Sequence, residues 1–124
     1  MLTPNTLLLI MAPERRTRIV PYLESLGSDL LPASTCAEAL ELLRGIPGPT
    51  LVLTDQNLPD GCWSDVLTLV DKESPGAGVI VCVLDEGLWI PALEAGALDV
   101  LPEPFHHSEV QRIVGCAAAR AAAA

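Results

Sequence analysis

A chain of 124 residues, half of them hydrophobic, is large enough to form one packed domain without disulfides or a metal and too short for two. Sixteen acidic against seven basic side chains give a net charge of −9, which repels phosphate backbones and argues against direct binding of nucleic acid. Charges or prolines interrupt every apolar stretch well short of the roughly eighteen residues that cross a bilayer, so no membrane contact is expected.

The opening segment MLTPNTLLLIMAPERR lacks a basic leader and a small-residue cleavage site. It reads as a strand and not a signal peptide, which makes the cytoplasm the expected location. Apolar runs and helical patterns then alternate along the chain, the signature of repeated βα units around a parallel sheet. Strands are expected at Leu7–Met11, Asp29–Pro32, Thr50–Thr54, Gly78–Val83 and Leu98–Leu101. The first, third and fourth are continuously apolar, as strands covered on both faces should be. Helices are expected at Glu14–Leu26, ended by Gly27, at Thr35 to about Arg44, at Ser64–Lys72, at Ile90–Ala95 and from His107 onward. Pro21 must kink the first helix or cost it a hydrogen bond. Thr35 and Glu38 form a capping box for the second. The end of the chain, CAAARAAAA over 116–124, extends the fifth helix or begins a linker.

Cys36, Cys62, Cys82 and Cys116 form no CxxC pair, and His106 and His107 have no second set of ligands. No zinc site, redox motif or cofactor is expected.

TDQNLPDG at Thr54–Gly61 and EAGALDVLPEPF at Glu94–Phe105 closely resemble two segments of the receiver domains of bacterial response regulators. Asp55 and Pro59, Gly96 and Ala97, and Pro104 and Phe105 fall on that family's pattern. The resemblance covers essentially residues 1–124 and implies a (βα)5 flavodoxin-like fold, with a cis bond at Glu103-Pro104. It also implies a site: an acidic pair after the first strand joins the third-strand aspartate in holding magnesium, and a lysine after the fifth strand pairs with the phosphoryl group. A hydroxyl residue and an aromatic relay the signal.

On this sequence only Asp55, the vestigial phosphoacceptor, is kept. The acidic pair falls on Ile10 and Met11, the hydroxyl on Val83, the aromatic on Val100 and the lysine on Glu103. One carboxylate is too poor a site for magnesium. A glutamate in place of the lysine turns attraction into repulsion, roughly 4 kcal/mol for a unit pair about 4 Å apart at an effective dielectric of about 20. Like-charge repulsion between Glu103 and Asp55 is expected to raise the pKa of one of them. Arg15, Arg16 and Arg18 crowd the start of the first helix, where positive charge is disfavoured. The plainer reading is a solvated basic patch with Glu14 and Arg18 paired; in the other, Arg15 or Arg16 folds toward Asp55 and Glu103 as an internal cation.

Trp63 stands where the family has glycine, and Trp89 is expected at the surface near a short fourth helix. The resulting expectation is a degenerate, non-enzymatic receiver, independent of phosphorylation and acting through protein partners, its own output domain or a homodimer, as the first module of a transcriptional regulator. Two alternatives stay open: a small-molecule sensor using the altered pocket around Asp55, and a residual phosphoacceptor.

Overall fold

The computed structural model of the chain describes residues 6–27, 29–45 and 51–123. Its main sheet has five parallel strands, β1 (Thr6–Ile10), β2 (Asp29–Ala33), β3 (Leu51–Asp55), β6 (Gly78–Val83) and β7 (Asp99–Pro102), in the order β2-β1-β3-β6-β7. Four helices connect them, α1 (Pro13–Glu24), α2 (Cys36–Gly45), α3 (Trp63–Glu73) and α4 (Trp89–Glu94), and α5 (His107–Ala123) follows β7. This is the five-unit parallel α/β fold expected, with element ends shifted by a few residues. Thr50 lies outside the described residues.

Strand alternation divides the core in two. Leu7, Leu9, Leu51, Leu53, Ile80, Cys82 and Leu101 face α1 and α5. Leu8, Ile10, Val52, Val79, Val81, Val83 and Val100 face α2, α3 and α4. Both layers are needed because a parallel sheet is apolar on each side. The edge strand β2 carries Pro32, whose missing N–H costs nothing at an edge.

Pro21 sits inside α1 on its exposed side. After α1, Gly27 takes a φ of +73° while its amide donates to the Glu24 carbonyl, a left-handed closure suited to glycine. A three-residue 3-10 turn, Glu86–Leu88, precedes α4, and the Asp85 carboxylate caps it by accepting from the Gly87 amide.

One piece of architecture was not expected. Asn57–Leu58 (β4) and Gly61–Cys62 (β5) form a small antiparallel ribbon between β3 and α3. The Asp60 carboxylate at its turn accepts from the amides of Cys36 (2.8 Å) and Ala37 (3.1 Å), capping α2 from a distant part of the chain. The Thr35 hydroxyl accepts from the Glu38 amide as expected, but the Glu38 carboxylate takes the amide of Ser34 and not that of Thr35.

Candidate functional site

β1, β3, β6 and β7 all end on one edge of the sheet, and that edge gathers the residues singled out from sequence. Asp55 closes β3 opposite Cys82 of β6 and is only 3% exposed. The Glu103 amide, just past β7, donates to the Val83 carbonyl, which fixes its position beside β6. α1 begins almost at once after β1, with Pro13 at its first position, where no amide is needed. Arg15 therefore lies in the first turn, directly over the same edge.

The Arg15 side chain joins the two carboxylates. Its Nε donates to Asp55 Oδ2 at 2.7 Å, and its Nη2 pairs with Glu103 Oε2. Side-chain exposures of 21% for Arg15, 4% for Asp55 and 6% for Glu103 place the cluster largely out of solvent. Arg16 turns elsewhere, with its Nη2 donating to Ser34 Oγ at 3.2 Å. Arg18 is exposed, and the Glu14–Arg18 pair is absent from the ion pairs among the described residues.

Burial pushes the Asp55 carboxyl above the usual aspartate range, partly offset by the Arg15 hydrogen bond and charge and by the Ala12 amide. The Cys82 thiol is pushed up strongly, by burial first and by the Asp55 charge second. Asp55 Oδ1 is buried without a hydrogen-bond partner.

Ile10, Met11, Val83 and Val100 are all buried. Ile10, Val83 and Val100 pack into the α2–α3–α4 layer and Met11 into the α1–α5 layer. The family's magnesium needs several carboxylate oxygens and room for water. Two apolar side chains stand at ligand positions here and a guanidinium stands on the remaining aspartate, so the residues present do not fit that ion. Among the described residues no group of three His, Cys, Asp or Glu is arranged to hold a metal.

The Glu103-Pro104 bond is cis. Trp63 begins α3 and packs half-buried against the α2–α3–α4 layer. Trp89 is half-buried against that layer too, a correction to its expected exposure. Among the described residues the large exposed apolar side chains are instead Leu84 (64%), Ile90 (67%) and Leu93 (40%). Sequence reasoning passed over these because they sit in apolar runs that read as core.

No family model matches the chain. The response regulator protein PilR of Pseudomonas aeruginosa is 32% identical over 107 residues, covering 85% of this chain and 24% of PilR. The chain thus spans about a quarter of that curated relative. A response regulator receiver domain from Clostridium thermocellum superposes with a TM-score of 0.83 at 24% identity, over 95% of this chain and 96% of the other. The beryllofluoride-activated NtrC4 receiver domain dimer gives 0.83 at 21% identity, over 94% and 98%. The chain thus has the fold of the response regulator receiver domains, and most of its length is similar in sequence to one part of a response regulator protein.

Proposed function

We propose that this chain is a pseudo-receiver: a signalling module that does no phosphate chemistry and acts through protein contacts within a longer regulator. The observation that carries this reading is the Arg15 bridge between Asp55 and Glu103. A phosphoryl group on Asp55 would place more negative charge beside a buried glutamate that already shares the only cation of the cluster. The metal that neutralises the incoming phosphate in active receivers has no ligand set here. Val83 offers no hydroxyl to sense the phosphate, and Val100 has no ring to relay it. The small-molecule alternative calls for open polar space at Asp55, where Arg15 stands beside the buried Ile10 and Met11.

PilR, four times longer than the aligned stretch, supports placing this domain in a multi-domain regulator of transcription, with its output domain as one partner. The NtrC4 receiver dimer supports a second copy as another. Leu84, Ile90 and Leu93 supply exposed apolar surface for such contacts. The acidic surface favours protein partners over nucleic acid. No helix among the described residues is long and apolar enough to cross a membrane, in keeping with action in the cytoplasm.

Two-dimensional amide NMR with and without magnesium and beryllofluoride tests the reading. No shifts around Asp55 are expected. Saturable shifts there would restore phosphorylation as the input.

A further inference from the structure

The arginine at the site does more than lie near two acids. Nε and Nη2 share one edge of the guanidinium plane, yet they go to carboxylates from different strands, Asp55 at the end of β3 and Glu103 just past β7. Both carboxylates are held by elements of the sheet edge, one by strand register and the other by the bond from its amide to Val83. Their arrangement therefore does not depend on Arg15 to create it. Arg15, in contrast, reaches in from the first turn of α1, where the helix dipole gives no reason to keep a cation. A planar fork can satisfy two separate acceptors at once, whereas an ammonium is a compact point charge with tetrahedral donors. Two buried carboxylate oxygens, Asp55 Oδ1 and Glu103 Oε2, make no hydrogen bond, so Arg15 meets Asp55 through a hydrogen bond and Glu103 through charge.

Resting on the reading above that the site does no phosphate chemistry, we propose that Asp55 and Glu103 form a guanidinium-binding pocket, with the Arg15 side chain as its tethered ligand in place of a divalent metal. Tethering makes the pocket permanently occupied and fixes the start of α1 to the β7–α5 junction. The domain is thereby held in one state that needs no ion and no phosphate.

The test uses Arg15→Ala in the whole chain, with thermal melting as the readout, methylguanidinium chloride as the probe and methylammonium chloride as the control. Arg15→Ala lowers Tm, and methylguanidinium raises it again along a saturating curve that the wild type does not show. Methylammonium at the same concentrations gives no such recovery, and Arg15→Lys melts close to Arg15→Ala. The selective recovery disappears in Arg15→Ala/Glu103→Gln. If Arg15→Ala does not fold alone, recovery of its circular dichroism on adding methylguanidinium is the equivalent result. Equal responses to the two cations, no response at all, or a response that survives Glu103→Gln would each overturn the pocket. These outcomes are separable from the wild-type beryllofluoride experiment. A silent wild type with no selective recovery sinks the pocket alone, and a responsive wild type sinks the functional reading.

Discussion

At the scale of single residues, the sequence marked three arginines as misplaced on a helix start but could not say which would turn inward. Adjacent positions on a helix differ by about 100° in direction, and only the packed structure sends Arg15 to the acids and Arg16 to Ser34. The two should therefore differ sharply on removal. Arg15→Ala leaves two buried carboxylates without a cation and should cost about 3 kcal/mol, the lower end for a broken buried pair because Arg15 is partly exposed. Arg16→Ala should cost under about 1 kcal/mol. Urea titration of both variants checks the contrast, and equal losses would show that the Arg15 bridge carries no special weight. Asp55 makes a second, pH-dependent prediction. Its folded pKa lies above the unfolded value of about 3.9, so the folded state holds a proton that the unfolded chain has released. Stability linked to Asp55 is then full below about pH 3.9 and is lost as pH rises through the folded pKa. Asp55→Asn should accordingly gain on the wild type as pH rises above about 3.9. A relative gain by the wild type over that range would mean that Arg15 outweighs burial.

At the scale of elements, local periodicity made the strands and helices legible, because continuous apolar runs such as TLVLT and GVIVCV admit few other readings. What it missed are connections made across the chain. Nothing local indicates that Asp60, in a polar turn that sequence reads as loop, will cap α2 some two dozen residues earlier. The capping box was half right for the same reason: Thr35 caps within its own turn, while the Glu38 carboxylate found the amide of Ser34. The α2 amides hold the Asp60 carboxyl below the usual range. The stability it contributes is present above about pH 3.9 and lost as pH falls through its depressed folded pKa. Asp60→Ala should therefore lower Tm at neutral pH, and the gap should close in acid; a gap independent of pH would assign the loss to the turn and not to the charge. Asp60 also helps push the neighbouring Cys36 thiol up to about 11, after burial as the larger cause. Exposed Cys116 should be alkylated before Cys36 at mildly alkaline pH, and Asp60→Asn should speed the reaction of Cys36. Unchanged Cys36 kinetics in that variant would remove Asp60 from the account.

At the scale of the whole molecule, two opposing terms govern association. A net charge of −9 makes two copies repel, while Leu84, Ile90 and Leu93 offer apolar surface that water disfavours. Ile90 and Leu93 stand out because α4 is only six residues long and follows a 3-10 turn: Ala92 fills the core contact, and the other two are left outside. The sequence showed the short helix but not which of its apolar residues would be stranded, since that depends on how the turn rotates α4 against β7. If a second copy uses this surface, repulsion is the term that salt removes, because the screening length falls from about 30 Å at 0.01 M to about 3 Å at 1 M. Sedimentation at increasing sodium chloride should then show self-association growing with salt, and Ile90→Ser/Leu93→Ser should abolish it while leaving Tm nearly unchanged. Association that weakens with salt would point to ion pairs elsewhere on the surface. A chain that stays monomeric at every salt concentration would leave the α4 surface to the output domain or another protein.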